Sequence, residues 1–241
     1  MSPAPGWALV AGSTGLVGTA VAEAFAGQGV NLVLHSGSRL AAAASQGSKL
    51  ESMFGVRCVP LAADVTSETA LADARSQAEA AGVRQLDALV NCAAGYDGKP
   101  ADIEGLDATA FRLVIDVDLV GSYLLVRAFL PLLRQAGGAR VVLFSSLAGV
   151  RGRPAAPHLC AAKAGVAGLA LGLSRDLAEA GIRVNVVAPG PVQRAGAEHH
   201  LPLPPGTPVS TPEEVAATVL MLAGPAPALA GQVIIVNGGQ P

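Results

Sequence analysis

Seven short runs of apolar, often β-branched residues alternate along the chain with longer amphipathic stretches rich in Ala and Leu. Each run is apolar on both faces, as in strands of a parallel sheet that is covered by helices on both sides. The alternation predicts an α/β fold, a Rossmann-type doubly wound parallel sheet of about seven strands flanked by helices on both faces. The predicted strands cover residues 7–11, 30–35, 56–61, 86–91, 139–145, 182–188 and 232–236, and the predicted helices cover 17–28, 67–81, 107–134, 156–180 and 212–222.

Length and composition agree with this fold and narrow the classes of partner. The chain has 241 residues, and since no repeat or break divides the pattern we expect residues 1–241 to form a single domain. A net charge of −2 gives no indication of a nucleic-acid partner. Apolar residues make up 51% and charged residues 14%, which leaves apolar surface that an oligomer interface could cover.

Targeting signals and metal motifs are not apparent in the sequence. No apolar run approaches the ~18 to 20 residues that span a membrane, so no membrane association is expected. The N-terminal residues lack a basic region, which argues against a signal peptide and favours a cytoplasmic protein. Cys58, Cys92 and Cys160 have neither CxxC nor Cys/His metal spacing, and we interpret them as free thiols in a reducing compartment.

One proline-rich segment interrupts the alternation near the C-terminus. Residues 195–210 contain four prolines and predict a loop between the sixth strand and the last helix. The sequence that follows, Thr211-Pro212-Glu213-Glu214, predicts a helix start with an N-cap, a proline at the first helical position and acidic residues in the first turn.

The junction of the first predicted strand and helix is rich in glycine. It reads Val10-Ala11-Gly12-Ser13-Thr14-Gly15-Leu16-Val17-Gly18. Such glycines allow a tight turn and a close approach of the backbone to a pyrophosphate, while the helix N-terminus supplies N–H groups and positive potential. Because of its position, the segment from Gly12 to Gly18 predicts a dinucleotide site; the alternative is an ordinary strand–helix turn.

The end of the second predicted strand indicates which dinucleotide binds. NAD-selective sites usually carry an Asp or Glu there for the ribose 2′-OH. Here the sequence is Leu34-His35-Ser36-Gly37-Ser38-Arg39, without an acid. Ser36, Ser38 and Arg39 could hold a 2′-phosphate instead, so NADP (NADPH) is favoured over NAD. The alternative is that Arg39 faces solvent at the start of the helix that follows this strand.

With these elements the chain resembles the short-chain dehydrogenase/reductase (SDR) family over essentially its full length. The resemblance rests on several motifs that occur in the family's order. The turn after the third strand is Asp64-Val65-Thr66, and the Asn-Ala-Gly-like motif that ends the fourth strand is Leu89-Val90-Asn91-Cys92-Ala93-Ala94-Gly95. The Pro-Gly segment that follows the sixth strand lies in Val184-Asn185-Val186-Val187-Ala188-Pro189-Gly190-Pro191-Val192. The C-terminal strand lies in Ala230-Gly231-Gln232-Val233-Ile234-Ile235-Val236-Asn237-Gly238-Gly239.

The resemblance implies roles for residues of these motifs and for two residues outside them. Ser146 would bind a substrate carbonyl oxygen, and Lys163 would bond the nicotinamide ribose and lower the pKa of the family's proton-donating tyrosine. The resemblance also implies cofactor contacts in three other places. Asp64 and Val65 would contact the adenine, Asn91 and Ala93 belong to the motif that ends strand four, and Pro189, Gly190 and Val192 would lie beside the nicotinamide.

Three features depart from the family pattern. The first two glycines of the loop are separated by two residues rather than three. Asp118 stands where the family has an Asn that holds a relay water, and Leu159 stands at the tyrosine position, between Ser146 and Lys163. Since leucine cannot donate a proton and general acid catalysis contributes roughly 10²- to 10⁴-fold, ordinary ketone reduction should be severely weakened unless another donor stands in.

Several side chains are candidates for the missing acid or base. His158, one position before the missing tyrosine, carries an imidazole, a group suited to acid/base work, but a loop or interface histidine is the alternative. Tyr96 follows the Asn-Ala-Ala-Gly segment and could line the pocket. Cys160 shares a helix face with Lys163, but the favoured interpretation of Cys160 is a small core residue. Asp118 near Lys163 could accept a proton, bind a cationic substrate or form a mere salt bridge. The candidate catalytic set is therefore Ser146, Lys163, Asp118, His158 and Tyr96.

Three functions remain open from the sequence. The favoured one is an NAD(P)H-dependent oxidoreductase with modified acid/base chemistry that reduces a small carbonyl, an imine or iminium, or an enone, because the cofactor elements, Ser146 and Lys163 occur together. The second is a non-redox enzyme for cyclisation, dehydration or isomerisation, with Asp118 or His158 as base. The third is a catalytically silent nucleotide-binding subunit. The family's usual assembly implies a homodimer or homotetramer, and residues 193–210 are expected to cover the substrate.

Overall fold

Seven parallel strands form one sheet with the order β3-β2-β1-β4-β5-β6-β7. The computed structural model describes residues 6–193, 203, 206–224 and 228–239. Every predicted strand is present, and no strand end differs by more than two residues from its prediction. The strands are β1 (Trp7–Ala11), β2 (Asn31–Ser36), β3 (Cys58–Ala62), β4 (Ala88–Asn91), β5 (Arg140–Phe144), β6 (Arg183–Pro189) and β7 (Val233–Val236).

Helices cover both faces of the sheet, which confirms the predicted fold class. On one face lie α1 (Leu16–Gly27), α2 (Leu40–Phe54) and α8 (Pro212–Ala223). On the other lie α3 (Glu68–Ala80), α5 (Gly121–Gln135) and α7 (Pro157–Asp176). Two short helices, α4 (Ala108–Val114) and α6 (Leu147–Arg151), precede α5 and α7.

The hydrophobic core is divided in two by the sheet. Because successive strand residues point to opposite faces, Leu9 packs in the core under α3, α5 and α7, whereas Val10 packs under α1, α2 and α8. The expectation of burial on both faces holds for the central strands but not for the two edges. In β7, Val233 and Ile235 are more than one third exposed, because no further strand or helix covers them among the described residues.

The helix predictions require two corrections. The stretch 107–134, predicted as one helix, is interrupted by the π-helical segment Ile115–Val120 between α4 and α5. A π-helical turn inserts a residue and rotates the side chains that follow, and such turns are frequent at functional sites. Helix α2 was not predicted from the pattern, because its Ala-rich sequence has high helix propensity but few large apolar residues to mark one face.

The proline-rich loop predicted over residues 195–210 lies mostly outside the described residues. Its ends are nevertheless held together, because Gln193 N–H donates to the carbonyl of Ser210 and Ser210 N–H donates to that of Pro191, each over 2.9 Å. The predicted start of α8 is confirmed, since Thr211 and Glu214 form a reciprocal capping box. In the part of the chain that is described, no helix combines the length and apolarity needed to cross a membrane.

His35 is the penultimate residue of the buried strand β2 and is fully inaccessible to solvent. Its Nε2 lies 2.9 Å from the carbonyl oxygen of Ala63, which can only accept, so Nε2 carries the proton. Its Nδ1 is buried without a hydrogen-bond partner among the described residues. Burial lowers the pKa of His35 from 6.5 to about 4, and the bond to Ala63 opposes this only in part.

This burial predicts a loss of stability in mild acid. As pH falls below 6.5, the unfolded chain binds a proton at His35 that the folded protein, with a pKa of about 4, does not take up. The free energy of unfolding should therefore fall by about 2 kcal/mol from this residue between pH 7 and pH 5. Denaturant unfolding of the protein and of His35→Gln at both pH values checks this; equal pH slopes in the two proteins would contradict it.

Candidate active site

Two adjoining cavities open where the strand order reverses, beyond the carboxyl ends of β1 and β4. Ligands of doubly wound sheets bind in this crevice. The first cavity, of about 690 Å³, is lined by the glycine-rich loop and is called here the glycine-loop cavity. The second, of about 650 Å³, is lined by Lys163 and is called the lysine cavity. Leu16, Val17, Cys92, Ala93 and Ala94 line both, so a ligand could extend from one into the other.

The glycine-rich loop approaches neighbouring backbone too closely for side chains. Gly12 has φ +69°, and a Cβ there would lie 2.8 Å from the backbone nitrogen of Ala93. A Cβ on Gly18 would overlap the carbonyl of Gly12, so this glycine lets α1 pack directly on the loop. Helix α1 begins after Gly15, has no side-chain cap and carries no acidic residue in its first turn. Its first N–H groups are therefore available to an anion.

The side chains of the loop also fit a polar ligand. The hydroxyls of Ser13 and Thr14 are buried and have no hydrogen-bond partner among the described residues. Buried hydroxyls are usually paired, and a phosphate beside the loop would supply acceptors. Thr14 lines the glycine-loop cavity, so its unpaired hydroxyl, together with the close backbone approach at Gly12, fits a dinucleotide pyrophosphate.

Most of the residues predicted to bind the dinucleotide line these cavities. Around the glycine-loop cavity lie Gly12, Thr14, Gly15, Leu16, Val17, Gly18, Ser36, Ser38, Arg39, Asp64, Val65 and Ala93. Around the lysine cavity lie Lys163, Pro189, Gly190 and Val192. Ser13 and Asn91 line neither, and Asn91 instead bonds neighbouring protein groups.

The end of β2 offers a cation and hydroxyls but no carboxylate. Ser36 is buried and its Oγ accepts a hydrogen bond of 3.0 Å from the backbone N–H of Arg39. The Arg39 side chain is exposed and lines the glycine-loop cavity. Across the cavity, Asp64 Oδ1 accepts hydrogen bonds from the backbone N–H and the hydroxyl of Thr66, which lower the pKa of Asp64.

A buried ion pair dominates the lysine cavity. Lys163 Nζ lies 3.0 Å from Asp118 Oδ2, and the two side chains are 8% and 0% exposed. Lys163 Nζ also donates to the carbonyl of Phe144 over 3.2 Å. Asp118 Oδ1 accepts a hydrogen bond of 2.6 Å from the backbone N–H of Gly95. The carboxylate is thus shared between an ammonium and an amide, and the pair carries no net charge.

The π-helical segment that carries Asp118 is tied to the end of β4. Ser122 Oγ donates to the carbonyl of Asp118 over 2.5 Å and accepts from Asn91 Nδ2 over 2.9 Å. Asn91 Oδ1 in turn accepts from the backbone N–H of Ala93 over 3.1 Å. Asn91 therefore acts as a positioning residue that links the strand end, the cavity wall and the segment bearing Asp118.

Ser146 and Leu159 lie on the wall of the lysine cavity formed by α6 and α7. Ser146 Oγ accepts from the backbone N–H of Ala148, and its nearest acceptor, the carbonyl of Pro189, is 3.5 Å away. Its hydroxyl proton is therefore weakly engaged and available to a ligand. Leu159 is 6% exposed and packs with Ala148 and Ala156, so an apolar surface stands between Ser146 and Lys163.

The other candidate acids occupy different places. Tyr96 lines the lysine cavity, with its hydroxyl buried and unpaired among the described residues. His158 does not line it: the ring is 4% exposed and meets the Tyr96 ring edge-on at 5.3 Å. Cys160 does not line it either, since its Sγ accepts from the backbone N–H of Arg153. Burial raises the pKa of Tyr96, so its phenol stays protonated at neutral pH.

Some lining residues were given no role in the cavities from the sequence. Cys92 and Val117 line the glycine-loop cavity, and Arg153 and Pro154 line the lysine cavity. Burial raises the pKa of Cys92 to about 12, with Lys163 acting in the opposite direction, so the thiol remains neutral. Their position in the chain could have indicated them, because the loops that follow β4 and β5 both lie at the carboxyl edge of the parallel sheet, where the crevice opens.

Comparison with known proteins agrees with this architecture. Residues 11–240 match the family model described as enoyl-(acyl carrier protein) reductase. A crystal structure of a short-chain dehydrogenase/reductase from Burkholderia xenovorans is 30% identical and superimposes with a TM-score of 0.87, covering 99% of this chain and 98% of that one. The chain belongs to the short-chain dehydrogenase/reductase family. It is thus an oxidoreductase of the SDR type.

Similar SDR proteins bear names that describe two chemistries. The peroxisomal 2,4-dienoyl-CoA reductase of Rattus norvegicus is 31% identical over 96% of this chain and 82% of its own. The 3-oxoacyl-[acyl-carrier-protein] reductase of Rickettsia felis is 32% identical over 96% and 95%. The first name describes reduction of a conjugated diene, and the second describes reduction of a ketone.

The buried ion pair of this SDR predicts strong energetic coupling. Removing one member leaves the other charge buried without its partner, so Asp118→Asn and Lys163→Met should each lower the free energy of unfolding by about 3 to 5 kcal/mol. The double variant should lose much less than the sum of the two. Denaturant unfolding of all four proteins measures the coupling, with Asp116→Asn, an exposed site on the same π-helical segment, as the control. Additive losses would refute the coupling.

Proposed function

We propose that this SDR oxidoreductase uses NADPH to reduce a carbon–carbon double bond conjugated to a carbonyl, as in an enone or an enoyl thioester. The observation that carries the proposal is the composition of the lysine cavity. Ser146 and the Lys163–Asp118 pair line it together with Leu159, while the position expected for a proton-donating phenol is apolar.

The cofactor part of the proposal is supported by the fit of the glycine-loop cavity. The backbone from Gly12 to Gly18 would hold the pyrophosphate, with Asp64 and Val65 beside the adenine. Pro189, Gly190 and Val192 would lie beside the nicotinamide, and Lys163 would bond its ribose. Bound there, NADPH supplies a hydride to a substrate in the lysine cavity.

The chemistry of this cavity favours a conjugated acceptor over a ketone. Reduction of a ketone concentrates negative charge on one oxygen, which then needs an acid at that atom. A conjugated acceptor receives hydride at a carbon remote from the oxygen and spreads the charge as an enolate. The Ser146 hydroxyl can donate to the enolate oxygen and so stabilise the spread charge, with no separate acid needed at that atom. The final proton goes to carbon and can come from water.

Two of the alternatives lose support for a physical reason. A cationic iminium would need a carboxylate with charge to spare, and the Asp118 carboxylate is already neutralised by Lys163 and hydrogen-bonded by Gly95. The same contacts engage both carboxylate oxygens of Asp118, so neither is free to accept a proton from the substrate of a non-redox reaction. His158 does not line the lysine cavity and is not in place to act as base. The name of the 2,4-dienoyl-CoA reductase relative favours the conjugated substrate, whereas that of the 3-oxoacyl relative favours a ketone.

A substrate comparison tests the reaction. Purified protein with NADPH should consume trans-2-enoyl or 2,4-dienoyl thioesters, measured by loss of NADPH absorbance, and should act poorly on 3-oxoacyl thioesters. Leu159→Tyr should raise reduction of the 3-oxoacyl thioester by roughly 10²-fold or more, because a phenol would again stand beside the carbonyl oxygen.

The matched control is Leu159→Phe, which adds the ring without the hydroxyl and should produce no such gain. Faster reduction of the 3-oxoacyl than of the enoyl thioesters by the unmodified protein would refute the proposal. NADPH binding without turnover of any of these substrates would instead favour a nucleotide-binding subunit without catalysis.

The NADPH preference is tested at Arg39. Arg39→Gln should weaken NADPH binding about tenfold and leave NADH binding nearly unchanged, because only NADPH carries the 2′-phosphate that a guanidinium can pair with. Fluorescence titration of both nucleotides measures this. Lys49→Gln is the control, since Lys49 lies on the same helix α2 but does not line the glycine-loop cavity. Equal loss for both nucleotides would contradict the assigned role.

A further inference from the structure

The outer wall of the lysine cavity carries an arginine that the proposed reduction does not use. Arg153 lies on the loop between α6 and α7, and Tyr96 lies on the loop after β4; both line the cavity. The guanidinium carbon of Arg153 lies over the Tyr96 ring, 5.9 Å from its centroid. This cation–π contact orients the guanidinium without neutralising its charge.

The loop that carries Arg153 is held in place by several contacts. The backbone N–H of Arg153 bonds to the Sγ of Cys160 over 3.2 Å. Two residues further on, Ala155 has a φ of +50°, and its carbonyl accepts a hydrogen bond of 2.7 Å from the N–H of Ala101. A non-glycine residue keeps such a backbone only where its surroundings enforce it. Arg153 is therefore presented from an ordered loop rather than from a loose surface segment.

The charges of the lysine cavity do not balance. The charged side chains among its lining residues are Asp118, Lys163 and Arg153, and the first two neutralise each other. Among the described residues, no carboxylate lies within ion-pair distance of the Arg153 guanidinium. The nearest acidic neighbour in the chain to Tyr96, Asp97, is paired with Lys99 at 3.2 Å. Among the described residues, the lining of the cavity therefore carries one uncompensated positive charge, on the half-buried side chain of Arg153.

We propose that Arg153 binds an anionic oxygen group of the substrate, a carboxylate or a phosphate, in the lysine cavity, and that Tyr96 is the positioning residue that holds the guanidinium. A partly desolvated guanidinium pairs strongly with such groups because its N–H donors match their oxygens in a fork. The inference rests on the proposed function in that it concerns the substrate of the same site. It makes Arg153 the residue that selects acidic over neutral substrates.

Direct binding of unreactive probes tests this without any turnover. The probes are benzoate, its neutral counterpart benzamide, and phosphopantetheine as the phosphate source, each titrated calorimetrically into the NADPH-loaded protein. At least one anionic probe should bind, and Arg153→Gln should lower the affinity for that probe about tenfold or more. The affinity for benzamide should stay unchanged. Arg153→Lys, which keeps the charge but not the fork, should lie between. The probe with the larger Arg153-dependent loss identifies the source of the anion.

Matched variants separate the role of Arg153 from a general change of charge or fold. Arg151→Gln removes the same charge from the exposed end of α6, outside the cavity lining, and should leave anion binding intact. Tyr96→Phe keeps the ring face and should retain binding of the anion, whereas Tyr96→Leu should weaken it. Unchanged NADPH affinity in each variant shows that the fold is intact.

The anion site and the proposed reduction can be refuted separately. Equal weakening of anions by Arg151→Gln and Arg153→Gln, or no binding difference between benzoate and benzamide, would overturn the inference while enoyl reduction could still be observed. Arg153-dependent anion binding in a protein that reduces none of the enoyl or dienoyl thioesters would support the anion subsite and refute the proposed reaction.

Discussion

The Lys163–Asp118 ion pair is the interaction on which the arrangement of the candidate active site depends. It joins α7 to the π-helical segment before α5, and through Gly95 it also holds the loop after β4. Two charges removed from water are tolerated only when they satisfy each other and their remaining hydrogen-bonding groups are paired. Phe144 and Gly95 supply those additional bonds from two different strand ends. The pair therefore brings four chain segments to one point, and among the described residues that line the cavity no carboxylate is left unpaired.

Close backbone packing plays the corresponding role on the cofactor side. Gly12 and Gly18 permit contacts that a single Cβ would prevent, and the N-terminus of α1 is left facing the cavity without a capping side chain. The unpaired hydroxyl of Thr14, which lines the glycine-loop cavity, adds a donor to the free N–H groups of the helix N-terminus. Both cavities of the crevice thus present polar groups to a ligand. The large hydrophobic clusters on the two faces of the sheet support the crevice from behind.

The fold was predictable from the sequence because its signals are local. Short apolar runs separated by helical stretches define the strands, and the glycine-rich turn after β1 marks the crevice. The errors also have local causes. The buried positions of helix α2 recur with helical spacing, but Ala43 and Gly47 are small and mark an apolar face only weakly. The π-helical turn at Ile115–Val120 was missed because its sequence reads as part of one continuous amphipathic helix. Burial at the sheet edges differs because a strand's neighbours, not its own residues, decide how much of it is covered.

By itself, the sequence determined the class of fold, the position of the glycine-rich loop after the first strand and the family, since strand periodicity, glycine spacing and ordered motifs are properties of contiguous residues. It also placed Asp118, Leu159 and Lys163 near one another through the family resemblance. Only the tertiary structure decided what these residues do to each other. Asp118 is neutralised by Lys163, His158 turns away from the cavity against Tyr96, and Arg153 enters the cavity wall from a loop without a motif. These outcomes depend on the distances between segments that lie far apart in the chain. Ion pairing, burial and loop geometry set those distances, and no local sequence pattern encodes them.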